Sequence, residues 1–372
     1  MNKMVISNLV HRPLRTLISV FAIAIEITLI LLIVGLCMSM LNDSAERQKG
    51  IGFDVMVTPP GSSFLTGITG APVPIKVGDK LRAIPHVTAV APVVTHFITT
   101  GNPEVINGVE LNPNSPNDFD KMGRPFRYLA GGPFQGPNDM LVDDLFADQH
   151  HTKVGDHYTV LNQSFRVCGI VEHGKGARRY VPIATLQDLL GSEGKASLFF
   201  VKTDSPENAS SVVAAVKQIP GMDQYVARSL AEYASLMTAS NIPFLNTFFN
   251  IVIGISVTIG FIVIFQSMYT AVMERTREIG ILKSLGASRL YVLNVVLRES
   301  FVLAVGGVLM GLALTAAARA VINHIFPTHG MVWDSYWVLR ATLIAILGAL
   351  AGGLYPALRA AQKDPIEALA YE

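Results

Sequence analysis

Residues 242–287 read IPFLNTFFNIVIGISVTIGFIVIFQSMYTAVMERTREIGILKSLGA, and this stretch decides the fold. From Ile242 to Val272 it is apolar and exceeds the ~20 residues that carry a helix across a hydrocarbon core of ~30 Å. Directly after Met273 it becomes the charged segment Glu274-Arg-Thr-Arg-Glu-Ile-Gly-Ile-Leu-Lys-Ser-Leu-Gly-Ala287. Three further stretches have the same apolar texture: Leu14 to Leu41, Phe301 to Ile322 and Trp333 to Tyr355. A soluble core helix can imitate one such run, but four with polar flanks specify an integral membrane protein.

Orientation follows from the basic flanks, because Lys and Arg are retained on the cytoplasmic side. Lys3, Arg12 and Arg15 precede the first span; Arg275, Arg277, Lys283, Arg289 and Arg298 separate the second from the third; Arg359 and Lys363 follow the fourth. The connection from Asn323 to Val332 has neither Lys nor Arg. Both termini and the segment after Met273 are therefore expected in the cytosol, with the long insertion outside and Trp333, Tyr336 and Trp337 as an outer aromatic belt. The first span exceeds a typical signal-peptide core, and no A-x-A site ends it, so it reads as an uncleaved anchor.

Half the residues are hydrophobic and the formal net charge is +1, which implies no large basic surface for nucleic acid. The two cysteines, Cys37 and Cys168, fall in a span and in the insertion, and no thiol metal site is visible. Residues 42–241 are long enough for a domain with its own core. Phe53–Val57, Val87–Val94, His157–Leu161, Ser164–Val171 and Leu198–Lys202 read as strands, while Pro206–Ile219 and Arg228–Met237 read as helices. A Gly-, Pro- and Ser-rich loop is expected between Pro59 and Pro74. The fold class is thus an α+β integral membrane protein, with four transmembrane helices and a large extracytoplasmic domain inserted between the first and second.

The Glu274–Ala287 segment, the ending Tyr355-Pro-Ala-Leu-Arg-Ala-Ala-Gln-Lys-Asp-Pro-Ile-Glu-Ala-Leu-Ala-Tyr-Glu372, and the layout of one span followed by an outer domain together resemble the MacB/FtsX-type ABC transporter permeases. Pro85–Val93 and Val154–Val171 resemble pieces of the MacB-type periplasmic domain. The resemblance implies three parts: residues 1–41 as cytosolic N-terminus and first span, 42–241 as a MacB-like periplasmic domain, and 242–372 as an FtsX-like permease domain. It further implies a multi-pass protein of the inner (plasma) membrane that works as a homo- or heterodimer. Its task would be mechanotransmission or export, and the partners would include membrane lipid and, in some systems, a periplasmic adaptor.

Within that resemblance, residues 274–287 form the coupling helix, with Glu274, Arg275, Arg277, Glu278, Gly280, Lys283 and Gly286 coupling the chain to an ATPase. The residues themselves support an amphipathic helix: Ile279, Ile281, Leu282 and Leu285 recur near helical spacing, and Gly286 suits the left-handed position that ends a helix. A helix lying on the lipid surface with solvated charges has the same pattern. A Walker A loop needs G-x-x-x-x-G-K-[ST], and Gly174-Lys175-Gly176 and Gly194-Lys195-Ala196 lack its spacing and its hydroxyl. ATP and magnesium are therefore expected in a separate MacB- or LolD-like ATPase subunit, with no cofactor in this chain. An FtsX-like regulator of a cell-envelope hydrolase, which transports nothing, is the alternative function; a membrane-anchored binding module is the third.

Glu26 stands in the middle of the first span, where a carboxylate is costly and is a functional-site candidate by default. It either serves a polar or cationic part of a lipophilic ligand, or stays structural against a group such as Asn250 or Gln266. Arg319 and Arg340 are expected to snorkel. Gly307-x-x-x-Gly311 and Gly348-x-x-x-Gly352 predict close helix packing without naming the partner. In the insertion, His150, His151 and His157 lack a recognised metal-ligand spacing. Gly174–Arg179 reads as a basic loop, either an exposed turn or a contact for headgroups or protein. Asp143-Asp144 reads as a helix cap. No nucleophile motif or enzyme signature stands in the chain.

Overall fold

The structure is a computed structural model that describes residues 13–62, 70–98, 104–238, 241–325 and 331–363. Lys3, Arg12, part of the Pro59–Pro74 loop, part of the Asn323–Val332 connection and the end of the C-terminal motif lie outside the described residues. The chain divides into two compact units, one of residues Leu41–Ile242 and one of Met1–Met40 with Pro243–Glu372.

The first helix, α1 (Pro13–Ile51), contributes its residues up to Met40 to the helical unit and the remainder to the inserted unit. The insertion continues with β1 (Val55–Thr58), β2 (Val73–Pro74), α2 (Val77–Arg82), β3 (Val87–Ile98), β4 (Glu104–Val109), β5 (Tyr128–Gly131) and β6 (Asp139–Asp143). There follow α3 (Asp144–His150), β7 (His157–Val160), β8 (Gln163–Val171), β9 (Arg179–Pro182), α4 (Ile183–Leu189), β10 (Lys195–Ala196) and β11 (Leu198–Thr203). It closes with α5 (Ala209–Gln218), β12 (Val226–Ser229) and α6 (Leu230–Leu236). The sheet runs β12-β1-β11-β3-β4-β9-β6-β8-β5, with β7 on β8, and the pairs β4–β9 and β6–β8 are parallel. Its first and last strands are neighbours, with Val55 opposite Ser229 and Thr58 opposite Val226.

Each expected strand forms, with ends shifted by a few residues. The expected helix over Arg228–Met237 starts later, because Arg228 and Ser229 finish β12 and the Ser229 hydroxyl accepts the Glu232 N–H at 3.1 Å to cap α6. Packing centres on aromatic residues: Phe53 stacks on Phe200 with ring centroids 4.5 Å apart, and Phe126 meets Tyr180 edge-on at 4.8 Å. Asp143 caps α3, accepting the Phe146 N–H at 2.7 Å, while Asp144 turns to His173.

The basic run Gly174–Arg179 is not an exposed turn. Lys175 and Arg179 are buried, the Lys175 ammonium lies over the Phe126 ring at 4.9 Å, and Arg179 pairs with Glu104 at 2.5 Å. The Gly176 N–H donates to the carbonyl of Arg47 at 2.9 Å, so the run is folded against the last turn of α1. Burial pushes the Lys175 amine down to about 8.

The helical unit holds α7 (Pro243–Glu274), α8 (Thr276–Ser284), α9 (Arg289–Ile325) and α10 (Ser335–Gln362) with the first part of α1. Four of these helices are long and apolar enough to cross a membrane. Their outward positions are aliphatic, including Leu17, Ile25, Ile255, Ile259, Leu309 and Leu343, as a lipid-facing surface requires. α9 begins at Arg289, well before the apolar window at Phe301, so the third span has a polar root that hydropathy alone leaves out.

Glycines seat these helices on one another. A Cβ at Gly307 would meet Ile23 Cβ at 2.5 Å, and one at Gly311 the carbonyl of Ala24 at 2.8 Å, which packs α9 on α1. A Cβ at Gly352 would meet the Phe261 carbonyl at 2.8 Å, which packs α10 on α7. The close approach also brings polar groups together: Ser19 and Ser267 hydroxyls lie 2.7 Å apart, and Thr28 donates to the Gly311 carbonyl at 3.2 Å.

Candidate functional site

The short helix α8 follows a break in the backbone. Arg275 leaves helical geometry (φ −106°, ψ 19°), so Glu274 ends α7 and Thr276 starts α8. Thr276 is buried and its hydroxyl donates to the Met273 carbonyl at 2.8 Å, tying the start of α8 to the end of α7. At the other end Gly286 adopts φ +94°, with its N–H on the Lys283 carbonyl and the Ala287 N–H on the Leu282 carbonyl, both 3.0 Å. That is a Schellman closure, and it needs the left-handed residue that glycine supplies without strain. The helix expected over Glu274–Ala287 is therefore Thr276–Ser284, bracketed by a bend and a cap.

The charges of the segment separate by direction. Arg275 faces inward and forks onto Glu299 of α9, with bonds of 2.9 and 3.3 Å. Glu299 is buried, with 3% of its side chain exposed, and also lies 3.6 Å from Arg15 of α1; Arg15 in turn reaches Glu274 at 3.3 Å. Lys283 turns toward the end of α10, donating to the carbonyl of Ala361 at 3.0 Å and to that of Lys363. A cation at these terminal carbonyls satisfies groups that the helix leaves unbonded and complements its dipole. Gly280 is buried, while Arg277 and Glu278 are exposed.

The apolar positions divide as well. Ile279 and Leu282 line a pocket beneath α8, together with Met268, Val272, Val292 and Val296, and Arg275, Glu278 and Glu299 border it. Ile281 and Leu285 point away, 44% and 81% exposed, beside Arg277 and Ser284, with the exposed Glu278 at the border of the two faces. The stripe that the sequence presents as one face is thus two faces, an inner one that seats the helix and an outer one open for contact. Sequence reasoning passed over Glu299, although an acid at the root of a membrane span is the signal that would have found it.

Glu26 is 6% exposed and turned toward α7, where its carboxylate lies against Gly260 so closely that a Cβ there would collide with it. Asn250 and Gln266 are both exposed. Arg340 stacks over Trp337, 4.9 Å from the ring centroid. Among the described residues no three His, Cys, Asp or Glu side chains gather in a way that could hold a metal ion. His150 packs on Phe146, with ring centroids 4.3 Å apart.

Two family models match the chain: the MacB-like periplasmic core domain over residues 16–219 and the FtsX-like permease C-terminal domain over residues 250–365. The ABC transporter permease YknZ of Bacillus subtilis is 27% identical, over 72% of this chain and 70% of its own length. The macrolide export ATP-binding/permease protein MacB of Shewanella is 24% identical, over 97% of this chain and 59% of its own length. The chain therefore spans about three fifths of that relative. Among solved structures, the periplasmic region of MacB from Actinobacillus actinomycetemcomitans aligns with 51% of this chain and 94% of its own, at 15% identity and a TM-score of 0.38.

Proposed function

The chain belongs to the MacB/FtsX-type ABC transporter permeases, and from that premise we propose that it is the membrane subunit through which a separate ATPase drives motion of the inserted domain. The cargo would be a hydrophobic or envelope substrate, and ATP and magnesium would be held by the partner. The outer face of α8 carries the reading: Ile281 and Leu285 are exposed apolar side chains flanked by Arg277 and Glu278, on a helix fixed at both ends. Apolar side chains exposed among charges, on a helix held at both ends, suit a contact whose apolar core they would enter and whose polar rim the charges would form. Arg277 and Glu278 then supply the register of that contact, and Gly286 the turn that presents Leu285.

Glu26 enters the same reading as an acid kept for cargo. It becomes accessible when α1 and α7 part, so Glu26→Gln is expected to change cargo sensitivity more than thermal stability.

The test is affinity purification of the full chain from its native membrane in mild detergent, with mass spectrometry and ATP hydrolysis measured on the eluate. A Walker-A ATPase is expected in the eluate. Leu285→Asp and Glu278→Ala should lower its recovery or its stimulation while the chain still inserts. Recovery that ignores both substitutions would remove this face from the reading and favour a helix resting on lipid.

A further inference from the structure

We propose that Glu299 is a positioning residue that latches the root of α8 to α1 and α9, so that a push on α8 moves three helices as one. The inference rests on the reading of α8 as the ATPase contact and adds the part that carries the load. Its ground is geometric. Arg275 is the residue at which the backbone bends between α7 and α8, and its guanidinium forks onto Glu299 at 2.9 and 3.3 Å. The same carboxylate lies 3.6 Å from Arg15 of α1, whose guanidinium also reaches Glu274, the last residue of α7, at 3.3 Å. Two carboxylates and two guanidinium groups thus join the ends of α1 and α7 to α9 around the bend that starts α8.

A carboxylate with 3% of its side chain exposed is held in place by the cations that compensate it, and losing one of them leaves a buried charge unpaired. Such a cluster resists rotation of α8 about Arg275, and Arg275 and Glu299 close one side of the cavity into which Ile279 and Leu282 pack. Lys283, bonded to the end of α10 at 3.0 Å, holds the far end of the same helix. Loss of the latch is therefore expected to free the root of α8 while its outer face, and hence docking, is retained.

The experiment uses the full chain in lipid nanodiscs; a nitroxide on Ser284→Cys, on the outer face of α8, in a background with Cys37→Ser and Cys168→Ser, is read in the absence of ATPase, and ATPase binding and hydrolysis are measured separately on the unlabelled variants. The variants are Glu299→Gln, Arg275→Gln and the two together. Each single variant should sharpen the label's spectrum toward faster motion. Each should also lower the hydrolysis stimulated in the co-purified ATPase by roughly tenfold, with the amount of ATPase bound unchanged. The double variant should be no worse than either single one, because Arg275 and Glu299 are removed together and Arg15 keeps Glu274 as its partner. The double variant also serves if a single one does not fold: the spectrum of faster motion supports the latch, and the wild-type spectrum overturns it. A wild-type spectrum in Glu299→Gln, or additive losses in the double variant, would equally overturn the proposal. A wild-type chain that binds no ATPase would instead sink the coupling reading, and the label's motion alone would then decide the latch.

Discussion

Asp143 illustrates how one side chain serves two ends. It caps α3 through Phe146 and is buried, 4.0 Å from Arg178, and burial pushes its carboxyl up to about 6 in spite of both partners. An acid whose folded value stands above the unfolded value of about 3.9 takes up its proton first in the folded chain. Ionised Asp143 therefore weighs against folding above about pH 6, and stability is regained as pH falls from about 6 to about 4. Asp143→Asn, which keeps an accepting oxygen for the cap, should flatten that part of the dependence; Asp143→Ala should flatten it as well and, near pH 4 where no buried charge is relieved, lose the cap and about 1 kcal/mol. Thermal unfolding of the inserted unit within the full chain, followed from pH 4 to pH 7, checks both. The cap itself was legible from Asp143-Asp144, but burial was not, since it depends on residues far along the chain. The same holds for Arg179, whose neutralising partner Glu104 is remote in sequence.

At the scale of elements, the membrane helices were readable because lipid imposes length and hydropathy on each segment separately. Their partners were not, because an apolar face looks the same toward lipid and toward another helix. The glycines resolve it. Gly311 allows α9 to touch the α1 backbone at Ala24, whereas a Cβ at Gly306, five residues earlier, would meet only Val20 at 3.6 Å. Gly311→Val should therefore cost about 1–3 kcal/mol by overpacking, while Gly306→Ala is tolerated. Melting of the two variants in detergent, read by intrinsic fluorescence, separates them. In the insertion, β6 escaped sequence reading because it begins and ends with aspartates. Those carboxylates are offset by Arg166 on Asp139 at 3.0 Å and by the cap on Asp143. Sheet order was equally out of reach, since every strand pairing beyond a hairpin joins residues distant along the chain. Of the α8 segment, the glycine closure was visible and the division of its charges into inward and outward sets was not. That division depends on Glu299 and on the end of α10.

For the whole molecule, the distribution of Lys and Arg predicts that α8 and the inserted unit face opposite sides of the membrane. A single cysteine at Ser210, exposed on α5, or at Ser284 on α8 tests this in a background with Cys37→Ser and Cys168→Ser. An impermeant maleimide added to intact cells should label the first and reach the second only after permeabilisation. Labelling of both in intact cells would refute the opposite placement and remove α8 from reach of a cytosolic ATPase. The adjacency of β1 and β12 has a separate consequence. The first and last strands of the insertion run side by side, so the chain leaves the sheet next to where it entered. An insertion whose two ends lie together in one sheet is a cassette, a unit that can be lost, gained or replaced in the chain without cutting through its own core.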